Sequence, residues 1–366
     1  MTQITRIGLL GVGKISGAYF HGISMFPGLK ITACADQDAA RARTVAAEHG
    51  IRAAESVEAL LHDHDVDLIV NLTIPAAHAE LNIQALEAGK HVYVEKPLAV
   101  HVAEGAASVQ AAARSGKIFG CAPDTFLGSG QQTVRSALDA GKIGTPFAAT
   151  AFMTCRGHET WHPSPEFYYQ PGGGPMMDMG PYYLTALVNL FGPIRRIAGV
   201  GCKAFQERTI TSQPLHGKVM EVGVNTHITG IAEFENGVIT TLIMSFDTPH
   251  TGLPLLQIYG TEGTLCAPDP NTFDNPVIFW AVGAKEPETL VVRHAIGMGR
   301  GSGPADMVAA AATGRKCRVD ATMALHVLEA MAAFERSGVS GEFVTLETRA
   351  TRPEAIPAGL PLGNLY

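Results

Sequence analysis

The sequence has no basic excess, no long apolar run and no paired cysteines, and each shortage removes a class of function. Lys and Arg number 27 against 34 Asp and Glu, a net charge of −7 at pH 7. No stretch gathers the basic residues into a stripe, so nucleic acid is not an expected partner: neutralising phosphates needs a basic footprint. No apolar run reaches the ~18 residues that span a bilayer. The start MTQITRIGLLG passes from a short polar lead straight into a strand-like segment, so neither membrane insertion nor secretion is expected. Cys34, Cys121, Cys155, Cys202, Cys266 and Cys317 stand far apart with no CxxC pair, which reads as reduced thiols in a cytoplasmic protein. Internal repeats and low-complexity tracts are missing too, and with only 17% charged residues the chain lacks the polar excess of a disordered one.

What is present is apolar and alternating. Hydrophobic residues make up 46% of 366, enough for two domains with substantial cores. Strand-like runs at 4–10, 30–35, 66–72, 91–94 and 118–121 alternate with helical ones at 14–26, 39–49, 76–87 and 102–114, the rhythm of parallel βαβ units. From about Thr125 the rhythm changes. A helix at 131–140 and a strand at 147–153 lead into an irregular stretch, CRGHETWHPSPEFYYQPGGGP, and long irregular segments inside compact domains are more often functional than idle. A helix then begins near Asp178 and ends before Gly192. Mostly strands follow, including 226–234 and 238–246 joined by Glu235-Asn236-Gly237, where Asn-Gly is expected to supply the positive φ angles of a tight turn. Helical stretches at 305–312 and 321–336 precede a Pro-rich tail.

Between the first strand and the first helix stand Gly11-Val12-Gly13-Lys14-Ile15-Ser16. Gly11 permits the tight turn, Gly13 lets amides approach a pyrophosphate, and the helix N-terminus faces the negative charge. Asp36, 25 residues after Gly11, ends the second strand, where its carboxylate can accept from ribose hydroxyls and would repel a 2′-phosphate. Gln37 beside it adds no positive charge. The pattern predicts NAD, with NADP less favoured.

At Val92-Tyr93-Val94-Glu95-Lys96-Pro97 the chain resembles the glucose-fructose oxidoreductase / inositol dehydrogenase (Gfo/Idh/MocA) family, whose hallmark is E-K-P at the end of the fifth strand. GVGKIS, the segment from Asn71 to His78, GGGPMMDMG at 172–180 and ADMVAAAATGRKCRVDATMALHVLEAM agree in order and spacing, so the resemblance covers nearly the whole chain. It implies an α/β fold: an N-terminal Rossmann domain over 1–123, then a substrate-binding and oligomerisation domain over 124–366 with a large open, mostly antiparallel sheet. It also implies a homo-oligomer, dimer or tetramer, formed through that sheet, and a small sugar or cyclitol substrate. Thr73, Pro75, His78, Glu95 and Lys96 are expected to border the cofactor along with Gly11, Gly13, Lys14, Ile15 and Asp36. Lys96 and Asp178 match the family's catalytic lysine and aspartate. The family's histidine, four residues after that aspartate, is here Tyr182.

The residues suit this chemistry. Removing a hydride from a secondary alcohol requires that the hydroxyl proton be taken up, and a partly desolvated lysine can take it or stabilise the alkoxide. Tyr182 could act instead if a neighbouring cation such as Lys96 lowered its pKa. Trp161, His162, Tyr168 and Tyr169 suit a sugar, aromatic faces against C–H surfaces and polar tips on hydroxyls. Asp124 is a further acceptor for a sugar hydroxyl. His158-Glu159-Thr160-Trp161-His162 matches the zinc motif H-E-x-x-H, but that motif needs a continuing helix, which Gly157, Pro163 and Pro165 discourage, so no metal is expected. The sequence therefore predicts an NAD-dependent dehydrogenase acting reversibly on a secondary hydroxyl of a sugar, sugar derivative or cyclitol. The alternatives are an NAD-assisted, redox-neutral glycosidase and a non-catalytic NAD-binding sensor.

Overall fold

The apolar runs of the first third assemble into a parallel sheet of β1 (Thr5–Leu10), β2 (Leu29–Ala35), β3 (Arg52–Ala53), β4 (Leu68–Asn71), β5 (His91–Val94) and β6 (Phe119–Cys121), in the order β3-β2-β1-β4-β5-β6. The computed structural model describes residues 4–365. Helices α1 (Ser16–Ile23), α2 (Ala39–His49), α3 (Val57–Leu61), α4 (Pro75–Glu87) and α5 (Val102–Ser115) make the crossovers. This is the doubly wound order, and its ligand crevice lies outside the carboxyl ends of β1 and β4, where strand order reverses. Asp38 caps α2 by accepting from the amides of Ala40 and Arg41, whereas α1 has no side-chain cap. β3 and α3, which the sequence reading did not anticipate, are 2 and 5 residues long, too short for periodicity to reveal.

The second sheet has nine strands. Chain order gives α6 (Ser129–Asp139), β7 (Pro146–Thr154), α7 (Gly174–Phe191), β8 (Ile194–Cys202), β9 (Glu207–Thr209), β10 (Val219–Glu221), β11 (His227–Phe234), β12 (Ile239–Ser245), β13 (Leu256–Gly260), β14 (Gly263–Ala267), β15 (Ile278–Ala281), β16 (Glu288–Thr289), α8 (Ser302–Thr313), α9 (Ala321–Ser340) and β17 (Val344–Thr345). The sheet runs β16-β15-β14-β13-β7-β12-β11-β8-β17, with β9 and β10 forming a separate pair. It is antiparallel except between β7 and β12, which pair parallel. Along β7, Ala149, Ala151 and Met153 are buried while Ala148, Thr150, Phe152 and Thr154 are half-buried, so one face carries the core. α7 packs against β7, β11 and β12.

Three details differ from the sequence reading. The compact units interleave instead of dividing at 123/124: residues 293–325 and from 353 onward join the first, and 133–292 with 326–352 form the second. The returning segments are tied by hydrogen bonds, Cys121 donating its amide to the Val319 carbonyl at 2.9 Å and Arg318 pairing with Asp306 and donating to the carbonyls of Glu354 and Ala355. In the hairpin between β11 and β12 only Gly237 has positive φ, +88°, since no described non-glycine residue does. Four residues, 235–238, join the strands, with Gly237 donating to the Phe234 carbonyl and the Asn236 side chain accepting from the Val238 amide, so glycine alone takes the left-handed position. Finally, α7 begins at Gly174, placing Asp178 inside the helix and not at its N-cap. Among the described residues no helix is long and apolar enough to cross a membrane.

Candidate active site

In the first unit the glycine loop after β1 is built for a dinucleotide. Gly11 has φ +88°, and a Cβ there would meet backbone atoms of Leu72 and Thr73 at 3.0 Å, whereas one at Gly13 would meet nothing within 4 Å. Gly11 therefore serves the turn, and Gly13 leaves open space in front of the uncapped start of α1. Lys14 and Ile15 are exposed at that start. A cleft of about 250 Å³ opens there, lined by Gly11, Gly13, Asp36, Arg41, Thr73 and Ile74 among others. Asp36 accepts from the amides of Val12 and Asp38, both at 2.9 Å, so it braces the loop, and its remaining lone pairs can take hydroxyls. Arg41 Nη1 stands 3.7 Å from Asp36 Oδ2, a cation missed in the sequence because it lies one helical turn beyond the end of β2.

Lys96 follows β5 at the carboxyl edge of the same sheet and is half-buried. Its neighbours brace the edge. Glu95, 8% exposed, accepts from the Tyr19 phenol and from the Lys96 amide, both at 2.8 Å. His78 is fully buried, with Nδ1 2.7 Å from the Pro97 carbonyl and Nε2 3.0 Å from that of Thr73. Burial holds its pKa below the usual value, against the pull of those two carbonyls. Thr73 also donates its amide and hydroxyl to Asn71 Oδ1, while Pro75 opens α4. His78 and Glu95, expected to border the cofactor, are buried and hydrogen-bonded to the carbonyls of Pro97 and Thr73 and to the Tyr19 phenol and Lys96 amide. Asp124 is engaged as well. It is 0% exposed, its Oδ2 accepting from the amides of Gly301 and Gly303 at 3.0 Å and its Oδ1 3.6 Å from Arg300. Burial raises its pKa despite these partners. It anchors the start of α8.

In the second unit the irregular segment between β7 and α7 closes over Asp178. His158, in a single 3₁₀ turn over His158–Thr160, places Nε2 3.0 Å from Asp178 Oδ2. Its ring is walled by Tyr168 and Phe246, each 4.3 Å away between centroids, and by Trp161 at 5.2 Å. Trp161 is 56% exposed, His162 half-buried. Tyr169, expected among the sugar-facing aromatics, is instead 0% exposed: its phenol donates to Glu159 and accepts from the His158 amide. Burial, then the Glu159 carboxylate, hold that phenol well above its ordinary pKa. Glu159 is ion-paired to Arg208, which also pairs with Asp247. All three side chains are at most 8% exposed. The H-E-x-x-H stretch is thus a turn locked by a buried carboxylate, with no α-helix to align its histidines. Among the described residues no group of three His, Cys, Asp or Glu is placed to hold a metal ion.

Asp178 is half-buried; Tyr182, one turn along α7, is 6% exposed. The imidazole next to the aspartate therefore comes from His158, 20 residues earlier. The only sequence signal for it was the zinc-like motif, which pointed to other chemistry. Lys96 belongs to the first unit, and Asp178, Tyr182, Trp161 and His162 to the second.

Comparison with known proteins agrees with this architecture. Residues 5–122 match the model of an oxidoreductase family with an NAD-binding Rossmann fold, and residues 131–266 match the GFO/IDH/MocA C-terminal domain. The chain is 29% identical over 273 residues to a 1,5-anhydro-D-fructose reductase of Ensifer adhaerens, covering 72% of this chain and 75% of the relative. It is 25% identical over 275 residues to a scyllo-inositol 2-dehydrogenase (NAD(+)) of Bacillus subtilis (strain 168), covering 72% and 74%. A levoglucosan dehydrogenase solved with NADH and L-sorbose shares the fold, with a TM-score of 0.82 at 20% identity over 94% of this chain and all of that one.

Proposed function

The chain belongs to the Gfo/Idh/MocA family and is an NAD-binding oxidoreductase, and we propose that it is an NAD-dependent dehydrogenase that oxidises a secondary hydroxyl of a sugar, sugar derivative or cyclitol, reversibly. The observation that carries this reading is the placement of Lys96 at the carboxyl end of β5, in the sheet whose crevice holds Gly11, Gly13 and Asp36. The nicotinamide, when bound, supplies the hydride acceptor. Lys96, as the neutral amine, takes the proton of the reacting hydroxyl on Nζ as the hydride leaves carbon, and the charge it gains steadies the oxygen. Asp178 accepts from a substrate hydroxyl, and exposed Trp161 with His162 offers a surface for the apolar side of the ring. Tyr182, mostly buried, is assigned to packing within α7 and not to proton transfer. Asp36 favours NAD over NADP. The names of the two curated relatives carry a sugar and a cyclitol, which supports the substrate class.

Two coarser features belong to the same reading. The half-buried face of the nine-stranded sheet, with Phe152, Ile231 and Tyr259 among its residues, suits a second copy of the chain, so a homo-oligomer is proposed. The six cysteines carry no disulfide among the described residues, which fits a cytoplasmic location.

The test is nicotinamide absorbance followed across a panel of sugars, sugar acids, glycosides and inositols, with Lys96→Met alongside. Turnover on a polyol by the unmodified chain, reduced ~10²–10⁴-fold in the variant with NAD affinity unchanged, is the expected outcome. An active Lys96→Met enzyme overturns the role of the lysine, and no turnover on any polyol overturns the activity.

A further inference from the structure

In the zinc-like H-E-x-x-H stretch His158 and Glu159 have no task in the reading above, and yet the turn that carries them is fastened at several points. The turn that carries His158 is held by its own amide on the Tyr169 phenol at 3.0 Å, by the amides of Thr211 and Ser212 on the Glu159 carbonyl, and by the ion pairs of Arg208 with Glu159 and Asp247. Asp247 is held in turn by the Thr226 hydroxyl at 2.7 Å. Buried ion pairs of this kind contribute little net stability, because desolvation offsets the attraction. What such a cluster does well is fix one geometry, and the geometry fixed here is that of the His158 imidazole.

Among the described residues that imidazole has one polar partner. Nε2 meets Asp178 Oδ2 at 3.0 Å, while Nδ1 is buried against the aromatic wall with no hydrogen-bond partner among the described residues. A carboxylate accepts only, so the ring proton sits on Nε2 and is donated to Asp178. A charged hydrogen bond of this length holds the carboxylate in one rotamer and fixes which oxygen remains for other partners. α7 does not supply an imidazole at position 182, where the side chain is tyrosine and 6% exposed.

We infer that His158 is the positioning residue for Asp178: an imidazole delivered from the loop after β7 donates to the carboxylate and fixes its rotamer. This rests on the proposed dehydrogenase activity, in which Asp178 meets the substrate. His158 acts through the carboxylate and makes no contact with the reacting atoms. Its neighbours Glu159 and Arg208 act one step further back, by holding the turn.

A double-mutant cycle on the purified enzyme, read as kcat/KM for whichever polyol the panel identifies, separates this role from packing. His158→Phe keeps the bulk of the ring and removes the donor. It should lower kcat/KM about tenfold or more with NAD affinity unchanged, whereas in an Asp178→Asn background the same substitution should cost less than about threefold. His158→Gln, which keeps a terminal N–H, should recover most of the loss, and it serves as the second variant if His158→Phe fails to fold. An equal loss in both backgrounds, or a folded His158→Phe enzyme with unchanged kcat/KM, overturns the inference while leaving the dehydrogenase standing. Absence of turnover in the unmodified enzyme is a different failure, visible before any variant is made; it removes the activity and the inference falls with it.

Discussion

The cofactor cleft and the loop over Asp178 are each held by a carboxylate that accepts from backbone or cation, but they are built on opposite plans. In the cleft everything needed is consecutive or a strand apart: Gly11 and Gly13 shape the loop, and Asp36 closes it by accepting from the amides of Val12 and Asp38. Around Asp178 the parts are scattered. His158 comes from the segment after β7, Arg208 from β9, Phe246 and Asp247 from just beyond β12, and they are joined by buried charge. Backbone geometry set by glycine tolerates change in its surroundings. A cluster of buried charges does not, since each member depends on the others being present.

The largest expected effect follows from that dependence. Arg208→Leu removes the cation between two carboxylates that are at most 8% exposed, leaving Glu159 and Asp247 buried without it, a loss of roughly 3–5 kcal/mol in such pairs. Thermal unfolding followed by circular dichroism should show a lowered midpoint, and polyol turnover should be lost as the His158 turn is released. NAD affinity, measured by fluorescence titration below that midpoint, should stay near normal. A variant with an unchanged midpoint would mean that the cluster is not what holds the loop.

A smaller effect sharpens the other side. Asp36 both braces the glycine loop and keeps Arg41, 3.7 Å away, occupied. Asp36→Ser retains one oxygen for the Val12 amide, removes the charge that repels a 2′-phosphate, and leaves Arg41 with Asp38 as its one remaining carboxylate partner among the described residues, so that Nη1 can turn to the phosphate. The ratio of kcat/KM for NADP over NAD should rise about tenfold or more, equivalent to about 1.4 kcal/mol, with no change at Gln37 required. If Asp36→Ser,Arg41→Ala gains as much as Asp36→Ser alone, Arg41 plays no part.

The two plans also explain what could be read in advance. The first unit was legible because its signals are local: amphipathic helices between apolar strands, two glycines and an aspartate at fixed offsets, then Glu95-Lys96-Pro97. The parallel order and the cofactor followed. In the second unit the helix and strand periods still located α7, β11 and β12, but side-chain roles did not follow from spacing. Tyr169 and Asp124 looked like ligand contacts and are buried anchors, because a polar residue in a loop gives no sign of whether a distant partner will cover it. Glu159 stood in the sequence only as the middle of a dismissed zinc motif, and its partner Arg208 lies 49 residues on. The pairing of His158 with Asp178 needs the loop to fold back over 20 residues, and nothing in the local pattern encodes that return.

The smallest expected effect tests whether the contrast extends to acid. Both units bury a histidine whose pKa burial lowers, His78 in the first and His326 in the second. A group whose folded pKa lies below its unfolded value of about 6.5 binds fewer protons folded than unfolded between the two. Stability therefore falls as pH drops through that window and is fully present above it. The partners differ, however. His326 Nε2 accepts from the Ile194 amide at 2.9 Å, while Nδ1 faces the Thr348 hydroxyl, so a second ring proton would meet a donor and break a bond. His78 faces two carbonyls, and a second proton there would add a hydrogen bond that partly offsets the cost of burying charge. Of these two rings, acid should thus act more through His326, while His91 and His294, whose pKa values burial also lowers, add to the acid response of the first unit. Melting temperature measured from about pH 8 to pH 5 should fall less steeply in His326→Gln, whose amide oxygen can accept from Ile194 without titrating, at a cost near neutrality of the ~0.5–1.5 kcal/mol of one altered hydrogen bond. His78→Gln should change the slope less. Equal flattening by the two substitutions would show that burial alone sets the acid limb and that the partners facing each ring do not matter.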